Sequence, residues 1–141
     1  MLNLQTRAAF FRLGQTLLAV DGDVLRQVLT VPKLSSVPRS QASLLGLFAE
    51  RGNILPLFDL HFLLGLSATA SRSLDLALLV EYQGSSFALS IDEMLGFFPY
   101  EPLKDLPMSV QQRFSKSMIQ SGNQQASLLD IASIAHQLMT S

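Results

Sequence analysis

Short apolar runs separated by polar breaks dominate this chain. The runs are about four to eight residues long, alternating or wholly apolar, and Gly, Asn, Ser or Pro interrupts them every 8–12 residues or so. This pattern is typical of β-strands. It predicts strands at residues 8–13, 17–20, 24–31, 44–49, 54–58, 77–82, 86–91, 94–100, 118–120 and 126–129.

The polar breaks predict how these strands are connected. Glycine tolerates the positive φ that tight hairpins need, so we expect two-residue turns at 14–15, 52–53, 84–85 and 122–123. Asp59 and Asp130 each follow an apolar strand and precede a short helical pattern, which predicts N-caps. The polar stretch 67–73 is interpreted as a connector. Three prolines predict that residues 98–108 lie outside a regular ladder, namely Pro99, Pro102 and Pro107.

The two halves of the chain resemble each other at an offset of about 70 residues. Gly14 then corresponds to Gly84, and the pair Gly52-Asn53 to Gly122-Asn123. Closed barrels would remove the exposed edges of such short strands. We therefore predict an all-β fold of two small packed barrels with short helices after strands. The approximate lobes are residues 1–70 and 71–141 of one domain, with exchange of terminal strands left open.

Composition narrows the functional classes. The chain has 141 residues, is 48% hydrophobic and balances 10 basic against 11 acidic residues, which argues against binding nucleic acid through bulk charge. It contains no cysteine, which excludes thiolate catalysis and Cys-ligated metals. The most apolar stretch, 54–66, is interrupted by Pro56, Asp59 and His61, so we expect no direct membrane insertion. A cytoplasmic protein is the expectation.

No residue pattern supports catalysis or a cofactor. The two histidines, His61 and His136, lie in separate halves without a metal-ligand spacing or a nucleophile elbow, which leaves a hydrolase as a remote alternative. Asp92 and Glu93 are adjacent on a strand and would face opposite sides. The glycines form no phosphate-binding loop. We expect no cofactor, no metal site and no catalytic residue.

A binding surface is the remaining class of site. The sequence Glu50-Arg51-Gly52-Asn53 lies between two apolar strands and is predicted to form a hairpin tip. Arginine at such a tip is either merely solvated or an interface anchor, because its planar fork supplies geometry as well as charge. The spacing alone leaves both interpretations open.

The stretch SLLGLFAERGNILPLFDLHFLLG resembles the chemotaxis coupling-protein family, the CheW-like domain. The family's pattern is matched in register by Gly46, Arg51, Gly52, Pro56, Asp59 and Leu60. The segments FRLGQTLLAV, LRQVL, LALLVEYQGSSFALSIDEMLGFF and SLLDIASIAHQL are similar to its flanking strands, so the resemblance covers nearly the whole chain. It implies two five-stranded SH3-like barrels without enzymatic activity.

The resemblance also implies partners and partner-binding residues. Proteins of this family bridge chemoreceptors, the methyl-accepting type, to the regulatory domain of a CheA-type histidine kinase at membrane-associated arrays. The matching positions here are Arg51, Gly52 and Gly46, together with the strand that contains Leu25 and Val28.

The chain departs from the family pattern at three places. Ala49-Glu50 replaces Asn-Leu, His61 replaces an arginine, and Gln27 stands where an acidic residue is common. These departures add Glu50 and Gln27 to the candidate partner-binding residues. They indicate a divergent member, such as the adaptor of a pilus-motility or other accessory chemosensory system. The alternative is a ligand-sensing or homo-oligomeric regulatory domain that uses a groove between the lobes.

Overall fold

The computed structural model describes residues 7–38, 41–66, 76–103 and 114–139. Within these ranges the chain forms eleven strands and two short helices, which confirms the all-β prediction. In chain order the elements are β1 Arg7–Leu13, β2 Thr16–Asp21, β3 Leu25–Thr30, β4 Leu44–Glu50, β5 Asn53–Phe58, α1 Leu60–Leu64, β6 Leu76–Tyr82, β7 Ser85–Ser90, β8 Glu93–Pro99, β9 Glu101–Pro102, β10 Ser115–Ser121, β11 Gln124–Leu129 and α2 Ile131–Met139.

All ten predicted strands are present, and β9 is an addition. The expectation that the prolines keep this region out of a ladder is wrong for Pro99 and Pro102: β8 runs through Pro99, and β9 pairs with β10. Proline is tolerated there because β9 lies at the edge of its sheet, where the missing N–H breaks no central ladder. Pro107 and the predicted connector 67–73 lie outside the described residues.

Two of the four predicted hairpin turns are shifted by one residue. Turns 14–15 and 122–123 are as predicted, whereas the other two are formed by residues 51–52 and 83–84. The residues that follow them, Asn53 and Ser85, begin strands because they pair across the hairpin. In both of these turns, the two residues with positive φ are the glycine and the residue before it, whereas the prediction used the glycine and the residue after it.

Each sheet takes strands from both halves of the chain. The six-stranded sheet has the order β8-β1-β2-β11-β10-β9, and the five-stranded sheet has the order β3-β6-β7-β5-β4. The first hairpin of each half has thus joined the later strands of the other half. Residue 70 thus separates strands that pair within one sheet. The approximate lobes 1–70 and 71–141, with a possible exchange of terminal strands, stay a prediction.

Each sheet closes on itself through a bent strand. In the larger sheet, β8 pairs with β1 and its continuation β9 pairs with β10 at the opposite edge. In the smaller sheet, the chain after β3 returns to β4, where Ser35 and Leu47 exchange two backbone hydrogen bonds of 2.8 Å each. Closure leaves few unpaired edges, which is the physical reason that such short strands are stable.

The helices cover the joint between the two barrels. The Asp59 side chain accepts the backbone N–H groups of His61 and Phe62, which confirms the predicted N-cap of α1. Asp130 accepts the N–H of Ser133 at the start of α2 in the same way. The largest buried cluster contains residues of both sheets and both helices, so the barrels share one core. This packing fixes where the hairpin tips project.

Candidate functional site

The β4–β5 hairpin presents Arg51 to solvent. Glu50 and Asn53 are its last paired residues, so Arg51 and Gly52 form a two-residue turn. Both have positive φ, 51° and 83°, as in the type I′ turns that match the twist of a hairpin. The Arg51 side chain is 82% exposed. The turn therefore holds a guanidinium at a tight tip, although positive φ is uncommon for a residue with a side chain.

Glu50 links this tip to the neighbouring strand. Its Oε2 lies 3.7 Å from Arg51 Nε and 3.4 Å from Gln27 Nε2 on β3. The contact joins β3 to β4 and brings together three residues that the sequence had placed in the site. An ion pair this exposed contributes little stability, about 0–1 kcal/mol. The contact places Glu50 on the Nε side of a guanidinium that is otherwise largely exposed.

A groove of about 450 Å³ opens beside the tip. All five strands of the smaller sheet, or the turns between them, contribute to its lining: Gln27, Glu50, Arg51, Asn53, Ile54, Leu55, Leu79, Gly84 and Ser86. Leu55 and Leu79 are each only 9% exposed and belong to the core of this barrel. The groove is therefore the open end of the barrel, with an apolar floor and a polar rim.

Ile54 extends the apolar surface at one side of the groove. Its side chain is 66% exposed, the highest value among the large hydrophobic residues that are described. An exposed β-branched residue next to an arginine and above an apolar floor is the composition of a protein-binding surface. The arrangement therefore supports recognition of a protein surface.

Three predicted site residues lie away from this rim. Leu25 belongs to the shared core, and Val28 is half-buried against it. Gly46 is buried in β4, where the backbone oxygen of Ser35 would lie 2.9 Å from a Cβ added at this position. These residues shape the barrel beneath the groove, and their part in partner binding stays a prediction.

Sequence reasoning missed the residues that the second half contributes to the groove. Leu79 and Ser86 lie on β6 and β7, which join this barrel only because the strands are exchanged. Ile54 was placed in a strand, but it is followed by another apolar residue, Leu55, so alternation gave no sign of which one faces outward. Finding these residues would have required knowing which strands pair with each other, and the hydrophobic pattern does not give that information.

The two histidines lie on different helices, and His61 Nε2 lies 3.4 Å from Oδ2 of Asp92. His61 is buried at the start of α1, whereas His136 lies on the exposed side of α2. Asp92 accepts the N–H of Gly14, and Glu93 pairs with Arg12 at 3.7 Å. In the described ranges no group of three or more His, Asp or Glu side chains has the geometry to hold a metal ion.

A smaller cavity lies at a joint between the barrels. It measures about 150 Å³ and is lined by Asp21, Asp23, Val24, Tyr82, Lys116, Leu129, Asp130, Ile131 and Ala132. This volume is below the range of about 300–1,000 Å³ usual for small-molecule sites. Nearby, burial raises the pKa of Tyr100, and a hydrogen bond of 2.6 Å to Asp21 raises it further.

Comparison with known proteins agrees with this geometry. The chain is similar to the scaffolding protein TtCheW from Thermoanaerobacter tengcongensis, whose crystal structure matches with a TM-score of 0.76 and 18% sequence identity over 89% of each chain. Among curated protein sequences, none is similar enough to count as a match. Within the described ranges, none of the helices is long and apolar enough to cross a membrane.

The family model of the CheW-like domain matches residues 7–139, nearly the whole chain. The two closed barrels with helices after β5 and β11 are the SH3-like pair of that fold. Proteins of this family are non-enzymatic scaffolds of chemotaxis signalling. The chain therefore belongs to the CheW-like domain family, and it is a scaffold and not an enzyme.

Proposed function

We propose that this protein is an adaptor that couples chemoreceptors to a CheA-type histidine kinase by protein–protein docking. Its place would be the cytoplasmic side of membrane-associated receptor arrays. The observation that carries the proposal is the groove at the open end of the smaller barrel, bordered by Arg51 and the exposed Ile54. Membership of the CheW-like family supports a protein partner.

The groove is suited to one apolar side chain of a partner. Leu55 and Leu79 form a desolvated floor, and Ile54 extends the apolar surface along one side. Burial of an apolar side chain contributes about 1.5–3 kcal/mol. A few such anchors supply most of the affinity of a typical protein interface.

Arg51 would fix the orientation of the bound partner. Glu50 lies on the Nε side of its guanidinium, which leaves the terminal nitrogens available to a partner's carboxylate or carbonyl oxygen. Gly52 keeps the tip tight, and Gln27 holds Glu50 in place. Leu25, Val28 and Gly46 would act indirectly by setting the shape of the barrel wall.

Titration calorimetry against the regulatory domain of the histidine kinase encoded beside this protein tests the proposal. We expect wild type to bind and Arg51→Ala to bind at least about tenfold more weakly, a loss of about 1.4 kcal/mol. Arg12→Ala is the matched control, because Arg12 also faces a glutamate through Nε at 3.7 Å but lies on the other barrel.

The outcomes separate the adaptor from the alternative. Unchanged binding by Arg12→Ala with weakened binding by Arg51→Ala supports docking at the groove. Equal weakening by both variants would contradict the assignment of the surface. Absence of binding by wild type itself would contradict the kinase as partner and would leave the ligand-sensing alternative, for which a ligand-dependent thermal shift is the measurement.

A further inference from the structure

A buried histidine lies at the joint between the two barrels. The His61 side chain is only 4% exposed, and its ring lies between two carboxylates. Nε2 is 3.4 Å from Oδ2 of Asp92, and Nδ1 is 3.9 Å from Oδ1 of Asp59. Histidine is the side chain whose charge ordinarily changes between about pH 5 and 8.

Asp92 connects this histidine to the other barrel. It lies where the chain passes from β7 of the smaller sheet to β8 of the larger sheet. Its carboxylate accepts the backbone N–H of Gly14 in the β1–β2 turn, and its own N–H donates to the carbonyl oxygen of Arg12 at 3.0 Å. The Asp92 carboxylate is therefore shared between a turn of the larger barrel and the helix that follows the smaller one.

The protonation state of the His61 ring decides how strongly it interacts with the carboxylates of Asp59 and Asp92. A neutral imidazole has one N–H, and an ionised carboxylate can only accept. Neutral His61 has one N–H and lacks the positive charge that attracts both carboxylates. The imidazolium attracts both: Nε2 lies within hydrogen-bonding distance of Asp92, where the bond would be charge-assisted, and Nδ1 forms a longer ion pair with Asp59.

Other charges near this joint are already paired. Glu93, next to Asp92, lies 3.7 Å from Arg12 on β1. From β7, the element packed against α1, the group that meets the helix start is the uncharged Ser90 hydroxyl, which accepts the N–H of Leu60 at 3.3 Å. In the part of the chain that is described, the carboxylates of Asp59 and Asp92 face the ring.

The equivalent joint of the second half lacks such a residue. Asp130 caps α2 as Asp59 caps α1, so Ala132 occupies the place that corresponds to His61. There, Asp23 corresponds to Asp92, and the 150 Å³ cavity occupies the space between them. Among the described residues, one joint therefore has a histidine between its two carboxylates, and the equivalent place in the other joint is a cavity.

We propose that His61 is a pH-responsive latch between the barrels: when protonated it ties Asp59 of the smaller barrel to Asp92, and through Asp92 to the β1–β2 turn of the larger barrel. When it loses the proton, the electrostatic attraction to both carboxylates is lost. This device does not depend on the identity of the protein's partner.

Thermal unfolding of wild type, His61→Gln and His136→Gln at pH 5.5 and pH 8.0 tests the latch. Glutamine retains a donor but cannot gain a proton. We expect the melting temperature of His61→Gln to fall below that of wild type by about 4 °C more at pH 5.5 than at pH 8.0. His136→Gln is the matched control, because it removes the same kind of side chain from α2, and its gap to wild type should depend on pH less than that of His61→Gln. A gap for His61→Gln that is constant, or that narrows at pH 5.5, would overturn the proposal.

Amide hydrogen exchange supplies a local readout that a merely structural histidine would not give. The amide of Gly14 should exchange several-fold faster in His61→Gln than in wild type at pH 5.5, with a smaller difference at pH 8.0. If His61→Gln fails to fold, Asp92→Asn replaces it, because the amide keeps the shape and removes the charge that the imidazolium needs. A melting-temperature gap between wild type and Asp92→Asn that is wider at pH 5.5 than at pH 8.0 supports the latch. A gap that does not change with pH refutes it.

Discussion

Replacing Gly46 with alanine should open the smaller barrel at its seam. Gly46 is buried in β4 next to Leu47, which exchanges two backbone hydrogen bonds of 2.8 Å with Ser35. A Cβ at this position would lie 2.9 Å from the Ser35 carbonyl oxygen and 3.2 Å from Cβ of Leu34. Because the nearer obstacle is backbone, it cannot rotate away, and the strand segment itself has to move.

Two contributions add to the backbone cost of a positive φ, which Gly46 (+157°) shares with Gly52 (+83°). Over-packing a core by one methyl group typically costs about 1–3 kcal/mol. Lengthening or loss of the two bridge hydrogen bonds adds about 0.5–1.5 kcal/mol for each bond that is affected. We therefore expect the free energy of unfolding to fall by about 2–6 kcal/mol, a large fraction of the roughly 5–15 kcal/mol of an ordinary domain.

Equilibrium unfolding in urea, followed by circular dichroism, measures this loss. Gly52→Ala is the control, because Gly52 has a φ of +83° but nothing within 4 Å of an added Cβ. That variant should lose only the cost of the left-handed backbone, about 1–2 kcal/mol. A Gly46→Ala variant no less stable than Gly52→Ala would refute the steric argument and would return Gly46 to the candidates for direct partner contact.

Three further substitutions separate binding from stability. Arg51→Ala should leave the melting temperature within about 2 °C of wild type, since the side chain is exposed and its ion pair is weak; a large fall would make Arg51 structural. Gly52→Val should impair folding itself, visible as insoluble or poorly cooperative protein, because a β-branched residue adopts positive φ at high cost. Tyr100→Phe removes the hydrogen bond to Asp21 and should cost about 1 kcal/mol at neutral pH. Because the pKa of Tyr100 is raised in the folded state, the native protein holds this proton where the unfolded chain releases it, so wild-type stability should decline above about pH 10. Unfolding at pH 9 and pH 11 should show that Tyr100→Phe lacks that part of the decline, and an unchanged decline would contradict it.

The strands and most turns were accessible from the sequence because they depend on local patterning. Apolar alternation marks each strand, and a glycine in a polar break marks each turn. The one-residue error at 52–53 and 84–85 arose because Arg51 and Gln83 adopt positive φ, which a non-glycine residue rarely does. Strand partners are different, since the two halves carry the same pattern and either half could complete either barrel.

The part of the candidate site that depends on local sequence was predicted, and the part that depends on strand pairing was not. The tip at Arg51 and Gly52 is a local motif, and the resemblance to the family located it. The groove beside the tip is not local: its floor residue Leu79 and its rim residue Ser86 arrive with the exchanged hairpin β6–β7. The burial of Gly46 likewise depends on Ser35, a contact made by an isolated bridge that carries no strand pattern.

The exchange of hairpins predicts that neither half of the chain folds alone. A division after residue 70 would separate four strand pairs, namely β1–β8, β2–β11, β3–β6 and β5–β7. The first half would retain two hairpins and the Ser35–Leu47 bridge, and the second half would retain two hairpins and the two-residue strand β9. Isolated hairpins are marginally stable at best in water. All three buried clusters also contain residues of both halves, so each half alone would expose apolar core surface.

We therefore expect the fragments 1–70 and 71–141 to be unfolded separately and to form a folded one-to-one complex when mixed. Circular dichroism of each fragment and of the mixture measures the gain of β-structure, and the melting temperature of the mixture should rise with concentration because folding is coupled to association. Cooperative unfolding of fragment 1–70 alone would contradict the exchanged topology and would restore two lobes that follow the halves of the chain. The result also bears on docking, because a groove built from both halves exists only in the assembled pair.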